Sequence, residues 1–158
     1  MTENYLTLLE ESLRSKLQVL DEIQQYNLKQ QEVFQSEEVD IDRFDGYVEE
    51  KGKLIDKLNG LDNGFESLYA KVSKELSENR DQYKDQIKVL QELVAKVTES
   101  SVSVQAQEAR NKKLIEDFFQ RTRHELGAGR KSSKAAYDYY KNMNKSAVVL
   151  PQFMDSKK

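Results

Sequence analysis

The sequence predicts an all-α protein: an elongated antiparallel bundle of three long helices, followed by a short C-terminal helix and an extended tail. Apolar residues recur every three or four positions along three long stretches, and no stretch alternates with a period of two. The single proline, Pro151, lies near the C-terminus, so no earlier position forces a helix to break. Two brief polar joints separate the stretches, and short connections favour antiparallel neighbours.

The first helix is expected to begin near Thr2, which is a suitable N-cap, with Glu3 close to the positive end of the helix dipole. Its apolar stripe consists of Leu6, Leu9, Leu13, Leu17, Leu20 and Ile23. Asn27 then places a polar side chain at a seam position, and Phe34 follows it. In a self-assembling coiled coil, such a polar seam residue would fix the register of the strands.

The second helix is expected to begin near Ile41, after a polar joint at residues 36–40 that supplies Asp40 as an N-cap. Gly60 and Gly64 each follow an asparagine, which is a turn signal, and glycine costs a helix about 1 kcal/mol relative to alanine. The apolar spacing nevertheless continues through both glycines, at Leu58, Leu61, Phe65 and Leu68. We therefore predict one continuous helix.

The third helix is expected to begin near Gln82, after a second polar joint at residues 77–81, and to end at Leu126-Gly127, where Gly127 suits a C-cap. Its apolar stripe fades between Thr98 and Lys113. The fading predicts that the helix either leaves the bundle there or extends past the ends of its neighbours.

Two regions follow from this pattern. Residues 1–127 are predicted to form the antiparallel helical bundle. Residues 128–158 are predicted to form a basic, tyrosine-bearing C-terminal segment. In it, Ser132 or Ser133 can cap a short helix, and residues 146–154 have no helical period and read as an extended apolar tail.

Charge is distributed unevenly along the chain. Residues 1–109 carry 13 basic and 23 acidic side chains, a net −10, whereas residues 110–158 carry 12 and 5, a net +7. A basic end can face nucleic acid, a membrane surface or an acidic partner, or can lie back on the acidic body of the same molecule. No apolar stretch approaches the length of a membrane span and no N-terminal signal pattern is present, so we expect a cytoplasmic protein without stable membrane insertion.

No constellation of residues predicts catalysis. The chain has no cysteine, which excludes disulfides, thiolate zinc sites and cysteine nucleophiles. The loop that begins at Gly127 has Arg130 where a phosphate loop needs glycine, and the only histidine, His124, has no partner at helical spacing. Carboxylates are expected on solvated helix faces. We therefore expect no enzyme activity, no metal and no cofactor.

A cluster of large apolar side chains near the C-terminal end is the candidate partner-binding site. Placed at the end of a rod and beyond the three-helix overlap, these groups exceed what the bundle can bury, and lysines and arginines surround them, as in a helix-binding groove. The alternative is that the tail folds back and covers the end of helix three. The candidate residues are Leu114, Ile115, Phe118, Phe119, Leu126, Tyr137, Tyr140, Val149, Leu150 and Phe153.

Three segments carry a family resemblance, namely Leu6-Thr7-Leu8-Leu9-Glu10-Glu11, the segment from Phe44 to Leu58, and Leu61-Asp62-Asn63-Gly64-Phe65. They resemble the FlgN family of flagellar export chaperones, and FliT-like flagellar chaperones share the same general features. The resemblance implies a cytoplasmic antiparallel bundle without enzyme activity. It also implies that the protein binds the C-terminal helices of the hook-filament junction proteins, FlgK and FlgL, and delivers them to the flagellar export gate.

Two further hypotheses compete with an export chaperone. A non-enzymatic coiled-coil module, structural or adaptor in role, would self-assemble into a homo-oligomer through the apolar stripe, with Asn27 fixing the register. A nucleic-acid binder would use the basic end, but the net charge of −10 on residues 1–109 argues against it. We therefore expect protein partners and no nucleic acid.

Overall fold

A computed structural model of the protein describes residues 2–122, which form three α-helices and no strand. The helices are α1 (Thr2–Gln35), α2 (Ile41–Glu78) and α3 (Lys84–Thr122). The prediction of an all-helical chain with three long helices is confirmed. The predicted end of helix three at Leu126-Gly127, the short C-terminal helix and the extended tail lie outside the described residues.

The first joint has the predicted capping geometry. Asp40 has extended backbone angles, φ −92° and ψ 94°, and its carboxylate accepts a hydrogen bond of 3.1 Å from the backbone N–H of Arg43. This bond satisfies one of the free N–H groups of the first turn of α2. The second joint differs slightly from the prediction, because Asn79 caps α2 and its carbonyl accepts from the N–H groups of Gln82 and Tyr83. Consequently α3 begins at Lys84, two residues later than expected.

Both other helices pack against α1, which runs antiparallel to α2 and parallel to α3. Lys16 forms an ion pair of 2.6 Å with Asp62 of α2, and Gln24 donates a hydrogen bond of 2.9 Å to Ser100 of α3. No Cα atom of α2 comes within 8 Å of one in α3, so these two helices meet only through side chains. At about 1.5 Å per residue, each helix is roughly 50–60 Å long.

The core is made largely of the predicted apolar stripes, with Val19, Val33 and Leu93 buried in addition and Leu17 only partly buried. Its centre includes Leu9, Ile23 and Val97, whose side chains have no exposed surface. Burying one aliphatic side chain of this size contributes about 1.5–3 kcal/mol. The remaining buried apolar residues are Leu6, Leu13, Val19, Leu20, Val33, Phe44, Val48, Ile55, Leu58, Phe65, Val72, Leu76, Tyr83, Leu90, Leu93, Val94, Val104 and Ile115.

Helix α2 is continuous through Gly60 and Gly64, as predicted. Both glycines lie on the exposed face, and a Cβ atom added to either would have no neighbouring atom within 4 Å. Leu58 and Phe65, on either side of them, are buried. Burial of the apolar face therefore holds the helix together where its local propensity is weakest.

The N-terminal ends of α1 and α3 are tied together by Glu75 of α2. Its carboxylate accepts hydrogen bonds from the hydroxyl of Thr2 and, at 2.9 Å, from that of Tyr83. The bond from Thr2 and then that from Tyr83 lower the pKa of Glu75, and the same carboxylate raises the pKa of Tyr83. Thr2 itself is the first residue of α1, so the helix begins near the predicted position, but Thr2 lies inside the helix and its hydroxyl bonds Glu75.

A layer of buried polar side chains crosses all three helices about four-fifths of the way along α1. We call it the polar layer, and it consists of the buried Asn27 and Gln30 of α1, Lys51 of α2, and Glu108 and Asn111 of α3, together with the partly buried Gln107 of α3. The Nζ atom of Lys51 lies 2.7 Å from Oδ1 of Asn27 and 2.8 and 3.0 Å from the two carboxylate oxygens of Glu108. The amide of Asn111 donates to the backbone carbonyl of Asn27 at 3.0 Å and to Oε1 of Gln30 at 3.3 Å.

The polar layer explains the fading stripe of helix three and overturns our interpretation of it. Between Thr98 and Lys113 the helix neither leaves the bundle nor outruns its neighbours, since Val104, Glu108 and Asn111 are all buried. The same face of α3 stays buried at a spacing of three or four residues, but polar side chains occupy two of its positions, Glu108 and Asn111. The expectation that carboxylates lie on solvated faces is likewise wrong for Glu108, which is 4% exposed.

Burial strongly affects Lys51, whose side chain has no exposed surface. Loss of hydration lowers the pKa of Lys51 to about 8, although the charge and hydrogen bonds of Glu108 oppose this shift. The ammonium group is therefore retained at neutral pH chiefly because a carboxylate lies beside it.

Replacing Gly60 or Gly64 by alanine should stabilise the protein. Each substitution removes up to about 1 kcal/mol of helix-propensity cost without a steric clash, so we expect Tm to rise by roughly 2–4 °C in thermal unfolding followed by circular dichroism. Lys57→Ala, at an exposed position of the same helix, is the control and should change little. A fall in Tm for either glycine variant would show that α2 needs glycine there.

Removing one member of the buried ion pair should cost more than removing both. Lys51→Met or Glu108→Leu leaves an uncompensated charge in the core, and we expect each to lose about 3–5 kcal/mol in urea unfolding. The double variant should recover most of that loss. Lys53→Met, which breaks an exposed ion pair of 3.1 Å with Glu50, serves as the control and should change stability by less than about 1 kcal/mol. If the double variant loses the sum of the two single losses in unfolding free energy, Lys51 and Glu108 are not coupled and the prediction is wrong.

The lowered pKa of Lys51 predicts a pH dependence of stability. Between pH 8 and pH 10.5, the folded and ordinary pKa values of Lys51, the unfolded chain binds more protons at this site. The free energy of unfolding of the unmodified protein should therefore rise with pH in this window relative to the double variant of Lys51→Met and Glu108→Leu, which lacks both buried charges, by at most about 1.4 kcal/mol per pH unit. Toward neutral pH the difference between the two proteins should level off. Urea titrations at several pH values measure it, and a difference that falls with rising pH would contradict the assignment.

Candidate partner-binding site

Four phenylalanines from the three helices meet at the end of the bundle where α1 ends and α2 begins. We call this cluster the aromatic end. Phe34 of α1 lies with its ring centroid 5.2 Å from that of Phe44 of α2 and 6.0 Å from that of Phe118 of α3. Phe118 lies 5.8 Å from Phe119, and all three pairs are arranged edge to face. Aromatic pairs prefer this geometry and gain about 0.5–1.5 kcal/mol each beyond the burial of their surface.

The four rings differ in how deeply they are buried. Phe44 is completely buried, and its position follows from the cap of α2, because its N–H bonds the carbonyl of Asp40 at 3.2 Å. Phe34 and Phe119 are partly buried and pack against the core, whereas Phe118 is partly buried outside the core cluster. The burial of the four rings therefore ranges from complete, for Phe44, to partial, for Phe118.

The structure places four of the predicted site residues, and they do not share one environment. Ile115 is 3% exposed and belongs to the core. Leu114, Phe118 and Phe119 are partly buried. The other six predicted residues, Leu126, Tyr137, Tyr140, Val149, Leu150 and Phe153, lie outside the described residues.

The expectation that this cluster lies beyond the three-helix overlap is wrong for the described part of it. Gln31 of α1 accepts a hydrogen bond of 3.1 Å from Arg110 of α3, and the two helices are parallel. Further along both helices, about one turn on α1 and two turns on α3, Phe34 meets Phe118. The end of α3 therefore lies beside the last turn of α1 and the first joint. Exposed cations accompany it on α3 at Arg110, Lys113 and Arg121, in agreement with the predicted basic surroundings.

A cleft of about 510 Å³ lies next to the aromatic end, along the first joint and the adjoining turns of α1 and α2. Its apolar lining includes Val33 and Val39, and its charged lining includes Lys29 and Arg43. The ammonium of Lys29 lies 5.2 Å from the ring centroid of Tyr26 and 6.0 Å from that of Tyr47. Opposite charges also line the cleft, at Glu32, Glu38 and Asp40.

Sequence reasoning did not assign Phe34, Phe44 or this cleft to the site. The two phenylalanines were recognised only as members of apolar stripes. A usable signal was nevertheless present, since aromatic residues close the stripe of α1, open that of α2 and close that of α3. In an up-down-up bundle those three positions fall at the same end.

The described residues offer apolar contact rather than reactive chemistry. Within residues 2–122, no group of three or more His, Cys, Asp or Glu side chains is placed to hold a metal ion. None of α1, α2 and α3 combines the length and the apolar character that crossing a bilayer requires. At the aromatic end, the groups available to a partner are the edges of phenylalanine rings, the side chain of Leu114 and surrounding cations.

Comparison with known proteins identifies the family. The sequence model described as FlgN protein matches residues 1–145, which include all three helices and part of the C-terminal segment. No curated protein and no solved structure matches the chain. FlgN proteins are chaperones and are not known as enzymes. Because the match covers far more than half of the sequence, the chain belongs to the FlgN family of flagellar export chaperones.

Proposed function

We propose that the protein is a cytoplasmic chaperone that binds the C-terminal helices of the hook-filament junction proteins, FlgK and FlgL, and delivers them to the flagellar export gate. The observation that carries the proposal is the position of Phe118, a partly buried ring at the end of the bundle, outside the core cluster. Leu114 and Phe119, on the same stretch of α3, extend the apolar surface.

The partner fits this surface by its chemistry. An amphipathic helix presents apolar side chains at intervals of three or four residues, and a groove lined by apolar residues buries them. Each 100 Å² of apolar surface removed from water contributes about 2.5 kcal/mol before the entropy of association is subtracted. The chaperone then needs no chemical step, since burial keeps the partner's helix from associating with itself, and dissociation at the export gate releases it.

Self-association through the seam gains no support from Asn27. Its amide donates to Gln107 at 3.1 Å and its carbonyl oxygen accepts from Lys51, so the chain itself uses this residue. The register that a buried asparagine would fix between copies is fixed between α1, α2 and α3 of one molecule.

The basic C-terminal segment, residues 128–158, completes or covers the site in this proposal. Charge favours an association with the bundle, because residues 1–127 carry 18 basic and 26 acidic side chains, a net −8, whereas residues 128–158 carry 7 and 2, a net +5. Six of the ten predicted site residues belong to residues 126–153. Deleting residues 128–158 distinguishes the two roles, since partner binding weakens if the segment contributes contacts and tightens if it covers the surface.

Phe118→Ala should weaken binding of peptides from the C-terminal helices of FlgK and FlgL by about 10–100-fold, the range expected for an aromatic anchor. Isothermal titration measures the affinity, and far-ultraviolet circular dichroism should show unchanged helicity. Val102→Ala is the matched control, because Val102 is an apolar residue of α3 that is 59% exposed and belongs to the central part of the helix. An affinity unchanged by Phe118→Ala would remove the aromatic end as the binding site.

A further inference from the structure

The last part of α3, beyond the polar layer, is held to the bundle by few contacts. We call residues 112–122 the end segment. Among the buried residues of α3, only Ile115 belongs to it, whereas Leu90, Leu93, Val94, Val97 and Val104 precede the polar layer. Phe118 and Phe119 add partly buried rings. The apolar attachment of α3 is therefore concentrated before residue 105.

The polar bonds that the structure shows for the end segment stay within α3. Arg121 donates to the carbonyl of Asp117 at 3.4 Å, and Thr122 donates to that of Phe118 at 3.0 Å. Lys112 approaches Glu116 at 4.0 Å, one turn further along the helix. None of these contacts opposes separation of the end segment from α1 and α2.

The polar layer, in contrast, fastens α3 to both neighbours immediately before the end segment. Glu108 bonds Lys51 of α2, and Asn111 bonds the backbone of Asn27 and the side chain of Gln30. These groups are buried, so breaking their bonds would leave unsatisfied polar atoms and an unpaired charge in the core. An opening that starts at the end of α3 consequently stops at Asn111.

Removing the end segment from its place would uncover an apolar seat at Phe34 of α1, whose ring centroid lies 6.0 Å from that of Phe118. Phe44 of α2 lies next to Phe34, with the two ring centroids 5.2 Å apart, and is fully buried. The end segment has its own apolar face, formed by Leu114, Ile115, Phe118 and Phe119. A partner helix would thus find apolar surface on both sides.

We propose that the end segment is a lid, hinged at the polar layer, which separates from α1 and α2 to admit the amphipathic helix of the partner. The inference rests on the proposed function, since it specifies how the same site opens. In the closed state Phe118 of the lid contacts the ring of Phe34, and the partner's helix takes the place of Phe118 there.

Cross-linking tests the lid, because the chain has no cysteine and any introduced pair of thiols would be unique. The test variant carries Gln35→Cys and Leu114→Cys. These two positions lie one helical turn beyond the hydrogen-bonded pair Gln31 and Arg110, so a cross-link between them joins the lid to α1. Gln31→Cys with Arg110→Cys joins the same two helices at the polar layer and is the matched control. Each variant is studied with its thiols bridged by bis(maleimido)ethane and with them capped by N-ethylmaleimide.

Titration with the FlgK and FlgL peptides should show at least tenfold weaker binding for the bridged lid variant than for its capped form. The bridged and capped control should bind alike. Equal affinity of the bridged and capped lid variant would overturn the lid. If the unmodified protein binds neither peptide, the proposed function fails by itself, and the lid is then decided without a partner.

Hydrogen exchange of the free protein tests whether the lid opens in the absence of a partner. Opening removes the packing of residues 112–122 against α1, which is the tertiary stabilisation of this part of the helix, so its backbone hydrogen bonds break more often and its amides lose protection together. We expect these amides to share one protection factor, at least tenfold below that of residues 90–108, with the step at the polar layer. A gradual loss confined to the last turn of α3 would indicate ordinary fraying and would overturn the lid.

Discussion

The buried ion pair between Lys51 and Glu108 is the interaction on which the alignment of the three helices depends. The ammonium group of Lys51 donates a hydrogen bond to one side chain of each other helix, Asn27 of α1 and Glu108 of α3. Apolar stripes tolerate small displacements, because one leucine contact replaces another at little cost. A fully buried ammonium group tolerates no such displacement, since a shift of α1 or α3 relative to α2 would leave its charge without a partner. The ion pair therefore adds little to net stability but selects one register among several that the leucines alone would allow.

The same layer divides the bundle into parts of different character. Before it, aliphatic side chains from all three helices interlock. Beyond it, the contacts are few and mainly aromatic, and α3 contributes a single buried residue, Ile115. Local stability in proteins follows such differences in buried contacts, and segments that rearrange on binding come from the less stable parts. The strongest polar restraint and the most weakly held segment of the described chain are thus neighbours, at the end where the aromatic residues gather.

The sequence predicted the helices well and their mutual alignment poorly, for a physical reason. Helix positions depend on local periodicity and on caps such as Asp40, which neighbouring residues determine. The polar layer instead joins residues that are far apart in sequence, and Glu108 and Asn111 look like surface residues until the alignment of α3 with α1 is known. Phe118 could be predicted as a site residue because large apolar residues cluster around it in the sequence. Its neighbours Phe34 and Phe44 could not be added to that prediction, because their proximity depends on the alignment of the helices. The depth of Ile115 was missed for the same reason.

A lid that must open before a partner binds has a consequence for release as well as for capture. The free energy spent on opening is subtracted from the free energy of binding, so the apparent dissociation constant is the intrinsic one divided by the open fraction. A chaperone needs moderate rather than maximal affinity, because its partner has to leave. Weak attachment of the end segment keeps the open fraction appreciable, while the bonds of Asn111 and Glu108 keep the opening local. Closure of the aromatic end then competes with the partner's helix for the same apolar seat, which favours release of the partner.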